Sequence, residues 1–109
     1  MAYDVVIPAA GLGTRLRPLT DYSPKGLVKY KGREILLRQF DILENYDVNQ
    51  VILVVGYHKE KYYDFLKRNT FNFVVKTVVN EKYDKTGCSY SLYKALNYVR
   101  NDFIYINSD

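Results

Sequence analysis

Residues 3–27 read YDVVIPAAGLGTRLRPLTDYSPKGL. The apolar run at 3–9 has the composition of a buried strand. It leaves through small residues and runs directly into Arg15 and Arg17. A plain tight turn with incidental arginines is one reading. An anion held against the backbone is the other. Gly11 and Gly13 permit a positive φ or the close approach of a ligand to the main chain. Successive backbone N–H groups in such a turn form an anion-binding concavity. A guanidinium can take phosphate oxygens in bidentate fashion. A lone Gly-x-Gly leaves both readings open.

Outward from this stretch, three more β-rich runs follow: QVILVVG (50–56), FNFVVKTVV (71–79) and DFIYINS (102–108). They are continuous apolar runs rather than clean alternations, the pattern of strands buried on both faces of a parallel sheet. Segments of helical period lie between them. REILLRQFDILENY (33–46) places Leu36, Phe40 and Leu43 on one face, and KEKYYDFLKRN (59–69) does so with Tyr62, Phe65 and Leu66. In the third, beginning SYSLYKALNYVRND (89–102), the apolar set is Leu92, Leu96, Val99 and Phe103, with Lys94, Asn97 and Asn101 opposite. The alternation of strand and helix predicts right-handed crossovers and an α/β fold with a doubly wound, mainly parallel sheet. The expected strand order is third, second, first, fourth, counted along the chain. No repeat, low-complexity tract or linker divides residues 1–109, so one domain is expected. Ligands of such sheets sit outside the carboxyl ends of the strands. Here those ends are Ala9–Gly13, Gly56–His58, Asn80–Gly87 and Asn107–Asp109.

The chain has 109 residues, 48% of them hydrophobic, and a formal charge of +4, which suits an anionic ligand. The one locally basic segment, YHKEKYYDFLKR (57–68), has helical spacing. It reads as a solvated helix face rather than a nucleic-acid patch. Cys88 is the only cysteine, so a reducing compartment is expected. The first residues lack a basic n-region, and no apolar run approaches membrane-spanning length. A cytoplasmic protein without a membrane partner is the expectation. Cys88 has no activating neighbour and reads as a small buried packing residue. His58 suits a supporting or surface role. Tyr83 and Tyr90 lie near the third strand's exit and read first as packing residues.

Two glycine loops fail against this stretch. The P-loop needs Gly-Lys-Ser/Thr after four spacers, and the dinucleotide fingerprint needs glycine where Leu16 stands. Taken whole, AAGLGTRLRPLTDYSPK (9–25) resembles the signature of nucleotidyltransferases that join a nucleoside triphosphate to a phosphorylated small molecule. Ala9, Ala10, Gly11, Gly13, Thr14, Arg15, Leu16, Pro18, Leu19, Thr20, Pro24 and Lys25 carry the match. GYHKEKYYDFL (56–66) resembles that family's second strand end and helix. NEKYDKTGCSYSLYKAL (80–96) resembles its base-binding loop and helix, and FIYINSD (103–109) the strand ending on its metal aspartate.

The resemblance implies a Rossmann-like nucleotidyltransferase fold of which this chain is the N-terminal half. It implies attack of an acceptor phosphate oxygen on the α-phosphorus of a nucleoside triphosphate, with loss of pyrophosphate. Gly11, Leu12, Gly13 and Thr14 would offer amides to the triphosphate. Arg15 would clamp the leaving pyrophosphate, and Lys25 would bridge the attacking phosphate and the α-phosphate. Ala9, Ala10, Gly11 and Gly87 would border the nucleotide, with Asn80 as an amide reader of the base. Asp109 would hold Mg²⁺. Arg17 is less tied to the pattern and suits solvent. The family's sugar-phosphate members commonly show Gly-Thr-Ala at the second loop. Gly87-Cys88-Ser89 followed by YSLYKAL resembles the choline-phosphate cytidylyltransferase branch instead. CTP and a phosphorylated alcohol are therefore favoured, on Ser91, Leu92 and Tyr93, over a sugar 1-phosphate. The alternative is a nucleotide-binding half-domain without activity. The fourth strand should form a sheet edge that pairs with a second copy, and the 109-residue chain should be inactive alone.

Overall fold

The computed structural model describes residues 2–107. Six strands and three helices follow in chain order: β1 (Tyr3–Pro8), β2 (Lys29–Tyr30), β3 (Arg33–Glu34), α1 (Ile35–Leu43), β4 (Val48–Val55), α2 (Lys59–Arg68), β5 (Val74–Val79), α3 (Cys88–Leu96) and β6 (Phe103–Tyr105). Two short 3-10 turns, Thr14–Leu16 and Lys25–Leu27, interrupt the long connection from β1 to β2. The main sheet runs β5-β4-β1-β6 and every pairing in it is parallel. This is the order expected from right-handed crossovers that double back after the third main strand.

β1 and β4 are the central strands, which is why their sequences are continuously apolar. Alternate side chains go to opposite faces. Val5, Ile7, Ala9, Val51, Leu53 and Val55 meet Leu36, Phe40 and Leu43 of α1 and Tyr62 and Phe65 of α2. Val6, Ala10, Ile52 and Val54 form the other face with Val78 and Ala95 of α3. Phe71 and Phe73, expected within a strand, lie just before β5 and close the first core edge-on against Phe40, at 4.8 and 5.4 Å between centroids.

Three expectations need correction. Burial on both faces holds only for β1 and β4; β5 alternates and β6 is exposed throughout. The third helix stops at Leu96 and buries Ser91 and Ala95, while Leu96 is 45% exposed. Leu92 and Val99 are half-buried beside that core. Small side chains four residues apart let α3 approach the sheet closely, and the larger residues flank the contact. Finally, the β2–β3 hairpin, paired Lys29 with Glu34 and Tyr30 with Arg33, adds an element before α1. Its turn residues Lys31 and Gly32 both have positive φ, at 52° and 79°, the requirement of a two-residue hairpin turn.

At the amino ends of the strands, fully buried Asp4 ties three segments together. Its carboxylate accepts from the Arg100 amide at 2.7 Å, Gln50 at 3.1 Å, and Asn49 and Asn101 at 3.3 Å each. Burial alone would raise its pKa, but the four hydrogen bonds outweigh that and hold it below the usual carboxylate value.

Candidate functional site

The chain leaves β1 at its carboxyl end with Ala9 donating to the Val54 carbonyl at 2.8 Å and Ala10 accepting from the Tyr57 amide at 3.0 Å. Ala9 and Ala10 are buried as the first steps of the loop. At Gly13 the backbone turns left-handed, with φ 65°. A methyl there would come within 2.8 Å of Thr20 Cγ2 and 3.0 Å of Lys25 Cβ. Both conformation and crowding therefore demand glycine. Thr20, fully buried, donates from Oγ1 to the Gly13 carbonyl at 2.8 Å. Its own carbonyl accepts from the Tyr57 hydroxyl at 2.6 Å. The segment 13–25 is thus folded back on itself, which brings Lys25 beneath the glycine loop.

Lys25 is 5% exposed. A methyl on Gly11 would lie 3.8 Å from its Nζ. Gly13, Thr14, Arg15, Leu16, Lys25, Gly87 and Cys88 line a cleft of about 500 Å³. A recess of about 80 Å³ continues from it past Ala10, Gly11, Asn80, Tyr83, Thr86 and Ser91. Lys25, Gly87 and Cys88 border both. The start of α3 also faces this space, and the positive end of a helix favours an anion.

The structure thus gathers Ala10, Gly11, Gly13, Thr14, Arg15, Lys25, Asn80 and Gly87 around one space. Ala9 lies behind the loop in the core, and Arg15 and Arg17 are exposed. Asp109 lies outside the described residues. Among the described residues no three carboxylate, histidine or cysteine side chains converge on a metal position. Asn80 Nδ2 donates to Thr86 Oγ1 and Ser91 Oγ, both at 3.1 Å. Its Oδ1 accepts from the Lys82 amide at 2.9 Å. Asn80 therefore pins loop 80–87 to α3, leaving Oδ1 one lone pair for anything else.

Cys88 is exposed at the cleft mouth, not buried: it opens α3, where the chain has just turned in from the loop. Ser91 is buried under the recess, whereas Tyr93 is 65% exposed. His58 is half-buried, its Nδ1 3.5 Å from Glu60 and its Nε2 3.4 Å from the Asp21 carbonyl. Tyr83 packs so tightly over Gly56 that a methyl there would lie 2.8 Å from Tyr83 Cβ. Sequence reasoning assigned no role to Thr20, Tyr57, Gly26 or Gly56. Thr20 sat inside the matched pattern, and Gly56–Tyr57 at a strand end were the available signals.

A parallel sheet whose central carboxyl end carries a folded-back glycine loop, a buried lysine and a helix start defines a doubly wound α/β domain with its cleft outside the strand ends. Residues 5–107 match the MobA-like NTP transferase domain, and the chain belongs to that family. It is 38% identical over 99 residues to choline-phosphate cytidylyltransferase of Streptococcus pneumoniae, covering 91% of this chain and 42% of that protein. It is 36% identical over 107 residues to UTP–glucose-1-phosphate uridylyltransferase AglF of Haloferax volcanii, covering 95% of this chain and 42% of that protein. Among solved structures, CTP:phosphocholine cytidylyltransferase from Streptococcus pneumoniae superposes with a TM-score of 0.85 at 35% identity. That match covers all of this chain and 46% of the other. The chain therefore spans less than half the length of these relatives.

Proposed function

We propose that the chain, residues 1–109, is the nucleotide-holding portion of an enzyme that transfers a nucleoside monophosphate, CMP by preference, to a phosphorylated small molecule. The acceptor is an alcohol phosphate resembling choline phosphate, with a sugar 1-phosphate as the second choice. An acceptor phosphate oxygen bonds to the α-phosphorus while the bond from that phosphorus to the bridging oxygen breaks. Pyrophosphate leaves with the electron pair. The chemistry asks chiefly for alignment of two mutually repelling anions and for positive charge where negative charge grows. The buried ammonium of Lys25 beneath Gly11 is the observation that carries this reading.

In it, the amides of Gly11, Leu12, Gly13 and Thr14 receive the triphosphate, and Arg15 at the cleft rim takes the pyrophosphate oxygens. Lys25 faces the attacking and α-phosphates. Ala9, Ala10, Gly87 and the Asn80-pinned loop bound the nucleoside. Mg²⁺ would neutralise phosphate charge beside Asp109, as hard cations do with one or two carboxylates. The preference for cytidine rests on Ser91, Leu92 and Tyr93 and on the named cytidylyltransferase relative; the uridylyltransferase relative makes UTP the competitor. We place the protein in the cytoplasm; no helix of the described residues is long and apolar enough to cross a membrane. The 109-residue chain alone binds nucleotide and does not turn over.

Calorimetric titration with CTP, UTP, dTTP, ATP and GTP in Mg²⁺ tests the reading. CTP should bind most tightly. Tighter UTP or dTTP moves the assignment to the sugar-phosphate branch, and absence of any binding overturns it. Steady pyrophosphate release with choline phosphate would reject the inactivity of the chain alone.

A further inference from the structure

We infer that Tyr62, a core residue of α2 outside the cleft lining, is a positioning residue that sets where the Lys25 ammonium stands. The inference rests on the reading of Lys25 as a phosphate ligand. Lys25, Gly26 and Leu27 form a single 3-10 turn, closed by the Leu27 amide on the Pro24 carbonyl at 3.0 Å and the Val28 amide on the Lys25 carbonyl at 3.2 Å. The leading N–H groups of so short a turn have no partner within it. The Gly26 amide finds one on α2: it donates to the Tyr62 hydroxyl at 3.1 Å. Tyr62 is fully buried in the core that holds Phe40 and Phe65. A hydroxyl taken into such a core needs a hydrogen-bond partner.

The fit is tight as well as polar. A methyl on Gly26 would lie 2.7 Å from the Tyr62 oxygen, 3.2 Å from Cε1 and 3.4 Å from Cζ. The φ of Gly26 is not in the left-handed region, so glycine is required here by approach and not by conformation. The turn thus rests directly on a ring that the core holds rigid. Lys25 is the residue immediately before the contact, and it is buried along the lining of the cleft. A shift of the turn by a few tenths of an ångström carries Nζ with it. Displacements of about 1 Å at a reacting centre cost on the order of 10²-fold. Burial also holds the Tyr62 hydroxyl well above the ordinary tyrosine range, so the contact stays neutral and intact across working pH.

The test measures CTP affinity and thermal midpoint of the 109-residue chain in parallel. Tyr62→Phe deletes only the oxygen and should weaken CTP about two- to tenfold, the worth of one hydrogen bond. Gly26→Ala pushes the turn off the ring and should weaken it more. Gly26→Ala/Tyr62→Phe removes the oxygen that the new methyl strikes, so it should bind CTP better than Gly26→Ala alone. Phe40→Leu, in the same core but with no hydrogen bond to give the turn, should lower the midpoint and leave affinity unchanged. Wild-type affinity in Tyr62→Phe, a double variant no better than Gly26→Ala, or an equal affinity loss in Phe40→Leu would each overturn the inference. Lys25→Ala separates the two levels: if it leaves CTP binding intact, the functional reading falls and this inference with it. If it weakens CTP while Tyr62→Phe does not, only the positioning role falls.

Discussion

At the scale of single residues, the site is a set of side chains that fix backbone. Gly13 is the most constrained, and Gly13→Ala should cost about 1–3 kcal/mol through its left-handed φ, with loss of nucleotide affinity because Thr20 and Lys25 must move. Denaturant titration with and without CTP checks both halves. Lys25→Ala should lower turnover of the whole enzyme about 10²-fold or more, as removal of one donor to developing charge does. Arg15→Ala should cost less, because Arg15 is exposed to water; circular dichroism should show both variants folded. Asp4 sets a pH dependence far from the site. Its folded pKa lies below its unfolded one, so its contribution is complete above the ordinary value of about 3.9. It is lost as pH falls through the lower, folded value. Urea midpoints between pH 2 and 6 should therefore fall more steeply in the wild type than in Asp4→Asn. The residues that matched a contiguous pattern, Gly11 to Lys25, were legible in the sequence. Tyr62 was legible only as a core residue, because its partner Gly26 is brought to it by the fold and no local pattern encodes the meeting.

At the scale of elements, order and pairing could be read because β1 and β4 are buried on both faces and say so in unbroken apolar runs. The α1 face of Leu36, Phe40 and Leu43 followed from the same logic. Phe40→Ala should cost about 3–5 kcal/mol, since Phe40 touches the rings of Phe65, Phe71 and Phe73 at once; equilibrium unfolding measures it. The face of α3 was misread for the converse reason. Periodicity weighs large apolar side chains, whereas this helix seats itself on Ser91 and Ala95. Ala95→Leu should accordingly overpack the contact by about 1–3 kcal/mol. The β2–β3 hairpin escaped because two-residue strands carry no measurable period and its turn is Lys-Gly rather than Asn-Gly or Asp-Gly.

At the scale of the whole molecule, β6 has β1 on one side and no strand of the described residues on the other. It exposes Phe103 and Ile104, the latter by 46%, and such an edge invites another chain. We expect concentration-dependent association in light scattering, reduced by Ile104→Lys; a strictly monomeric chain at high concentration would reject it. The same topology sets the order in which the protein can be completed. β1 is made first, yet Asp4, Val5 and Val6 meet Phe103, Ile104 and Tyr105 across the sheet. With elongation at about 5–20 residues per second, β1 waits on the order of 5–20 s on the ribosome before that neighbour emerges. Over that interval the edge of β1 that β6 later covers stays open to chaperones, while β4 can already pair with its other edge.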